Sequence, residues 1–233
     1  MIAALSIRPP GAPAPLRVDS MHLLAGSGAE GDRHRDPLSP RHLLLASSAS
    51  YGAFGLAPQA LRENLLFDND IDRLPSGTVL RIGATATVRL MFACEACGRL
   101  DLHGDRLAAR IGARRGMLAR VIDGGVIHLG DAVRDLGQFL PAWPDDWRLR
   151  IAQVLDAVPG GAVIGYAQLA RLAGLQSTYC RAFPRLLRAL GPAYEEKAIA
   201  ARSASSRPRW AGAELFAVTD ARALAPPGPA PRP

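Results

Sequence analysis

No apolar run in this 233-residue sequence reaches the roughly 18 residues that a bilayer-spanning helix needs. The opening Met1-Ile2-Ala3-Ala4-Leu5-Ser6-Ile7-Arg8 lacks the basic start and long apolar stretch of a secretory signal. The expectation is a soluble, cytoplasmic protein with no membrane partner. Cysteine is scarce: Cys94, Cys97 and Cys180 are too few for a closed disulfide framework, which a chain this long does not need. In a reducing compartment, Cys94-Glu95-Ala96-Cys97 points to metal or sulfur chemistry, or to plain core packing. Lysine is nearly missing, with Lys197 the only one. The basic charge is therefore arginine, a bias that a GC-rich genome produces without functional cause.

What is present reads as globular. The chain is 48% hydrophobic and 21% charged, which allows a buried core and excludes wholesale disorder. Its length suits one large domain, or one medium and one small. The net charge of +7 is unevenly placed. Residues 1–146 hold 16 arginines against 16 acidic residues, while residues 147–233 hold 12 basic residues against 5 acidic ones. The whole excess lies in the last third, which suggests a polyanion partner there, the alternative being a solvated basic surface.

The boundary is expected in 138–146, where Pro141 and Pro144 break regular structure and Asp145 or Asp146 can cap a following helix. The expected division is 1–137, a linker 138–146, 147–215, and a proline-rich tail 216–233. From Leu80 to Leu90 apolar and polar residues alternate strictly, predicting strands with one buried face, split by a turn or bulge at Gly83. Leu118–Ile122 and Val126–Leu129 flank Asp123-Gly124-Gly125, which predicts a tight hairpin. Such short strands suggest a compact barrel. Past the linker, Trp147, Ile151, Val154 and Leu155 mark one face of a helix that stops at Pro159-Gly160-Gly161. A short helix over 167–173 is closed by Gly174, and Ser177 could cap another helix running to about Leu190. The fold class is thus an N-terminal, mostly β barrel plus a small α-rich winged helix-turn-helix.

Four features of the N-terminal part come in order. They are the loop Gly28-Ala29-Glu30-Gly31-Asp32-Arg33-His34, the run Leu61-Arg62-Glu63-Asn64-Leu65, the pair Cys94-Glu95-Ala96-Cys97, and Arg115-Gly116-Met117 before Gly130-Asp131. Together they resemble the MOSC domain, found at the C-terminus of molybdenum-cofactor sulfurases and as standalone bacterial proteins. The resemblance covers roughly residues 1–135 and implies a β-barrel. It also implies one reactive cysteine, either a sulfur carrier or a ligand of molybdenum in the pterin cofactor. Cys97 matches that position, and a thiolate, soft and nucleophilic, suits both roles. Arg99, Arg114 and Arg115 are candidates to favour the thiolate, and Cys94 is either packing or a redox partner. Asp32, Arg33, His34, Arg62 and Asn64 would meet the phosphate and pterin edge of a molybdopterin, with arginine giving bidentate phosphate contacts. Alternatively, Asp32, Arg33, Arg62 and Glu63 form salt bridges that order the loops. A zinc site built on Cys94 and Cys97 has only His103 nearby and stays one ligand short.

Farther on, Val154–Ala170, Ala173-Gly174 and Arg181-Ala182 look like the DNA-binding part of alkylguanine-DNA alkyltransferases and their alkyltransferase-like relatives. That resemblance, over about 147–190, assigns Tyr166 and Arg181 to rotating a nucleotide out of the duplex, with Arg185 also on the DNA side. Tyr166 could equally be a core aromatic. The family's Pro-Cys-His-Arg nucleophile motif is missing, since no histidine follows His128 and no cysteine follows Cys180. Alkyl transfer is therefore not expected. Pro184 stands where that family has glycine, and Arg202, Arg207 and Arg209 beside Trp210 could form a basic wing.

Two functional expectations follow. One is an enzyme that holds a molybdenum cofactor through Cys97 and reduces N-hydroxylated small molecules such as modified nucleobases, served by an electron-donor or sulfur-donor protein. The other is a non-enzymatic nucleic-acid or lesion binder with the barrel as sulfur carrier or scaffold.

Overall fold

The structure is a computed structural model, and it describes residues 1–217. Its N-terminal part contains β1 (Ile2–Ile7), β2 (Leu16–Val18), β3 (Ser20–Leu24), β4 (Gly28–Ala29) and β5 (Leu43–Ser47). After helix α1 (Ser48–Phe54) come β6 (Leu65–Phe67), β7 (Thr78–Ile82) and β8 (Ala86–Ala93). Helix α2 (Leu107–Ile111) precedes β9 (Met117–Asp123), β10 (Gly125–His128) and β11 (Val133–Gln138). Eight strands form one sheet in the order β11-β7-β8-β9-β5-β6-β1-β2, antiparallel except for the β5–β6 pair.

The expected barrel is a curled half-barrel sheet whose ladder runs from β11 to β2 without closing. A second sheet, β10-β3-β4, adds Met21, Leu23 and Ile127 to the core that Leu45, Phe67 and Val88 line from the large sheet. This arrangement overturns the predicted hairpin. Although β9 and β10 are separated by a single residue, β9 pairs with β5 and β8, and β10 pairs with β3. Gly124 and Gly125 carry the chain from one sheet to the other. A Cβ would lie 2.7 Å from the Leu23 carbonyl oxygen at Gly124 and 2.2 Å from Thr85 Oγ1 at Gly125, so glycine is required by close approach rather than by a turn.

The break at Gly83 is a turn between β7 and β8, with φ +59°. The expectation of a single buried face fails on β8. Thr87 and Arg89 point away from the apolar core, yet both are buried. Arg89 donates from Nη2 to the Pro141 carbonyl at 2.6 Å, so the segment after β11 covers this second face.

That segment leads into α3 (Trp147–Asp156), capped by the Asp146 carboxylate, which accepts from Arg148 N. Beyond it lie β12 (Ile164–Gly165), α4 (Tyr166–Leu172), a 3-10 segment Ser177–Ala182, α5 (Phe183–Leu190), α6 (Pro192–Glu195) and β13 (Ala198–Ile199). Gly174 follows α4 with φ +69°, and Pro184 restarts the helix in the first turn of α5. Ser177 does not cap it: the segment it opens is 3-10 and has no side-chain cap. Nor do the described residues form a wing hairpin. β12 and β13 are two-residue strands paired in parallel, and Pro208 has no N–H to extend a ladder. The tail from 218 on lies outside the described residues, but Phe216 is buried and stacks on Trp143 at 5.6 Å.

The two parts are packed rather than tethered. One apolar cluster joins Leu44, Phe92 and Leu118 of the large sheet to Ile151, Leu169 and Phe183, with Trp143 of the connecting segment inside it. Arg171 grips Asp36 with two bonds, at 2.7 and 2.6 Å. A Cβ on Gly174 would lie 2.7 Å from Phe92 Cζ and 2.8 Å from Pro40 Cγ, which shows how closely the turn after α4 sits on the sheet.

His42 belongs to this junction. Its Nδ1 accepts from Val121 N at 3.1 Å and its Nε2 meets the Asp36 carbonyl at 3.0 Å. Burial, and then the nearby Arg120 charge, push its pKa down to about 3. An unfolded histidine titrates near 6.5, so between about pH 6.5 and 3 only the unfolded chain takes this proton. Stability is expected to fall as pH drops through that window, by up to about 1.4 kcal/mol per pH unit from this group. Denaturant midpoints of wild type and His42→Gln across pH 4–7 check this: the variant should lose that part of the slope.

Candidate functional site

The Gly28–His34 loop turns around Asp32. Its backbone at Gly28 and Gly31 has positive φ, which brings the carboxylate inward to a buried position. There Asp32 accepts from Arg8 N at 2.9 Å, His34 N at 2.8 Å and Asn64 Nδ2 at 2.8 Å, and Oδ1 also lies 3.0 Å from His34 Nδ1. Burial alone would raise its pKa, but the His34 and Arg8 bonds outweigh that and bring it to about 2. Against an ionised carboxylate the His34 Nδ1 carries the ring proton. Burial lowers the His34 pKa despite Asp32, and His34 borders a cleft in the surface.

Asn64 has a different role from the one expected. It is fully buried, its amide donates to Ser6 O and Asp32, and its oxygen accepts from Leu44 N and Arg8 Nη2. With its hydrogen-bonding positions filled by protein, it fixes the loop to β1 and β5 and is not free to touch a ligand. Asp32 is likewise an organiser. Glu63 is buried and accepts from Tyr51 O–H at 2.6 Å.

The groups that do face outward are cations. Arg33 is exposed, and Arg62, at φ +56°, donates to Pro13 O at 3.3 Å. Partial burial and then the charges of Arg99, Arg33 and Arg115 depress the Arg62 pKa. Burial likewise lowers Arg8, with Arg62, Arg33 and Arg115 adding to the effect against Asp32. Five guanidinium groups thus crowd together. Arg115 is 7% exposed, and its Nε and Nη1 have no hydrogen-bond partner, nor has Arg8 Nε. A buried donor left unpaired costs about 1–3 kcal/mol; Arg8 Nε has Asp32 at 3.8 Å in partial compensation, whereas Arg115 has no acceptor among the described residues at these two nitrogens.

Cys97 ends the loop after β8. It is exposed and free, whereas Cys94 is buried in the apolar cluster and also free. Cys97 lies in a cleft of about 320 Å³ that Arg41, Arg115, Arg150, Leu175, Gln176 and Tyr179 help to line. A wider space of about 620 Å³ lies between Arg33, His34 and Arg41 on one side and Arg171, Gln176 and Ser177 on the other. Arg41, Gly174, Leu175 and Gln176 border both, so the two form one groove between the sheet and the helical region. Among the described residues no three His, Cys, Asp or Glu side chains are grouped as a metal site would need.

The residues assigned to DNA lie apart from this groove. Arg181 and Arg185 are exposed, with Arg188 one turn further on, and they form a basic outer face. Tyr166 is half-buried, packs edge-on against Phe183 at 5.6 Å, and accepts at its carbonyl from Cys180 Sγ at 3.5 Å. Its ring packs against the apolar cluster of the helical region. Arg207 and Arg209 donate to the backbone carbonyls of Glu196 and Ser203.

Sequence reasoning missed Arg8, Arg41, Glu95, Arg150 and Tyr179. Glu95 accepts from Tyr179 O–H at 2.9 Å and from the buried Arg150 at 3.4 Å, tying the cysteine loop to the helical region. Nothing local marks these residues, because each gains its role from a segment far away in sequence.

Comparison with known proteins agrees with this geometry. The family model for the MOSC domain matches residues 38–134, which include Asn64, Cys97 and Arg115. Among solved structures, a hypothetical protein is 20% identical with TM-score 0.51, covering 81% of this chain and 89% of its own. That likeness is one of fold, and its coverage exceeds what residues 1–146 make up. YiiM from Escherichia coli is 18% identical with TM-score 0.47, over 79% of this chain and 90% of its own. YUAD protein from Bacillus subtilis is 16% identical with TM-score 0.49, over 57% and 92%. No curated protein matches. No helix among the described residues is long and apolar enough to cross a membrane. Residues 38–134, which contribute β5 to β10 and the start of β11, are thus similar to the MOSC domain.

Proposed function

We propose that this protein holds a molybdenum cofactor at Cys97 and reduces small N-hydroxylated compounds, with the helical region contributing a nucleic-acid contact. One observation carries the cofactor reading: the exposed Cys97 thiol shares its cleft with Arg115, a buried guanidinium with two unpartnered nitrogens. Arg115, with Arg8, Arg33, Arg62 and Arg99 around it, suits the phosphate of a molybdopterin, and Cys97 offers a soft thiolate for the metal. When bound, such a group supplies two-electron reduction. The chain's own residues would hold the anion and shield the cleft with Leu175 and Tyr179. Elemental and persulfide analysis of protein made in cofactor-competent cells tests the reading. About one molybdenum per chain is expected; persulfide sulfur without molybdenum would favour a carrier role instead.

The alkyltransferase-like reading of 147–190 rests on its motif, and its support here is the exposed Arg181, Arg185 and Arg188 face. The shared core makes the intact chain the right material for testing it. Duplex binding is expected to weaken steeply with salt, because neutralising phosphates releases counterions. Arg181→Ala should weaken it, and more so on mismatched duplexes if Arg181 supports base flipping. Salt-series isotherms check this, and affinity that ignores salt would remove nucleic acid from the proposal.

A further inference from the structure

The groove beside Cys97 has two unlike compartments. The wider one is cationic: Arg33 and Arg41 face it, whereas Arg171 is neutralised by its paired bonds to Asp36. Arg41 uses Nη1 on the Gly174 carbonyl at 3.1 Å, and no other acceptor among the described residues takes its remaining protons. The hydroxyl of Ser177 and the amide of Gln176 lie opposite. The narrower compartment has Leu175, Tyr179, Phe92 and the Cys97 thiol among its walls, with Arg41, Arg115, Arg150 and Glu95 supplying polar groups. At about 620 and 320 Å³, the pair falls within the size of small-molecule sites, roughly 300–1,000 Å³.

A ligand that fits carries an anionic group at one end and, at the other, a flat body with hydrogen-bonding edges. We propose that the groove binds a nucleotide, its phosphate on Arg33 and Arg41 and its base in the compartment of Leu175, Tyr179 and Cys97. The substrate is then the phosphorylated form of a base and not the free base. This deepens the reading of Cys97 as the reacting site, but the phosphate seat stands on groove geometry alone. Arg41 borders both compartments and Arg115 only the narrower one, so Arg41 and Arg33, not Arg115, face the wider seat. A free nucleotide and the end of a strand carry the same phosphate, and the same two guanidinium groups would hold either.

The test uses the full chain and three probes: AMP, adenosine, and a short 5′-phosphorylated oligonucleotide. Calorimetry measures affinity, and mass spectrometry follows the rate at which iodoacetamide alkylates Cys97. AMP should bind about tenfold or more tightly than adenosine, as expected for charge-assisted phosphate bonds, and should slow alkylation. Arg41→Ala and Arg33→Ala should each weaken AMP by about tenfold, and Arg41→Lys should recover part of the loss. Arg33 has no bond to the helical region, so its variant separates ligand binding from any loosening at Gly174. Stronger protection by the oligonucleotide assigns the seat to a strand end, and stronger protection by AMP assigns it to free nucleotide; both support the phosphate seat. Equal binding of adenosine and AMP, or AMP binding unchanged in both alanine variants, overturns it. Molybdenum content of the same preparations is scored independently, so failure of the cofactor reading leaves this result interpretable.

Discussion

Arg150→Ala is expected to destabilise the protein by about 3–5 kcal/mol, the range for breaking a buried, multiply bonded charge. The guanidinium is 1% exposed and serves four acceptors. Nε donates to Ala173 O at 3.0 Å, Nη1 to Pro144 O at 2.9 Å and Asp145 O at 2.7 Å, and Nη2 to Glu95 at 3.4 Å. It also lies 3.8 Å over the Phe92 ring. Removing it strands three carbonyls and opens a hole where the connecting segment, the turn after α4 and the cysteine loop meet. In a chain of this size each kcal/mol moves the melting temperature by roughly 2–4 °C, so a fall of about 10 °C is expected. Glu95→Gln is the comparison. The Glu95 side chain is 49% exposed, its ion pair is worth little in water, and the loss should stay within about 1 kcal/mol. A melting temperature for Arg150→Ala within 2 °C of wild type would show that the junction does not depend on this side chain.

Cys97→Ser should abolish retention of molybdenum or persulfide sulfur, with activity falling to background. Serine keeps the size and loses the soft, readily deprotonated donor that either role requires. Because Cys97 is exposed and its thiol bonds to no partner among the described residues, the variant should fold and melt as wild type does. Cys94→Ser should behave in the opposite way. Cys94 sits in the apolar cluster, its Sγ only 3.9 Å from the Glu95 carbonyl, so a hydroxyl there costs about 1–3 kcal/mol of stability while retention is only weakened. Equal retention by wild type and Cys97→Ser, measured by elemental analysis and persulfide labelling, would sink the assignment.

The comparison of sequence with structure divides along a physical line. Features set by neighbouring residues were readable: the β7–β8 turn at Gly83, the Asp146 cap, the stop at Gly174, the restart at Pro184. Features set by distant partners were not. The Asp-Gly-Gly run has the residues of a hairpin, but β3 competes for β10 and wins, because Met21, Leu23 and Ile127 complete the core. Arg89 looks like a surface arginine until the Pro141 carbonyl caps it, and Arg115, named for its place near Cys97, turns out to be buried among other arginines. Asn64 was rightly singled out as unusual, yet its four bonds go to protein. The groove itself has no local signature, since its walls come from residues 33–41, 92–97, 115–118, 150 and 167–179.

That last spacing has a consequence in time. A chain emerges from the ribosome N-terminus first, at about 5–20 residues per second. Cys97 is made about 80 residues before Leu175 and Tyr179, the side chains that wall its compartment. For on the order of ten seconds the nascent cysteine loop is open on that side, and it becomes a groove only when the helical region arrives and Glu95 gains both Arg150 and Tyr179.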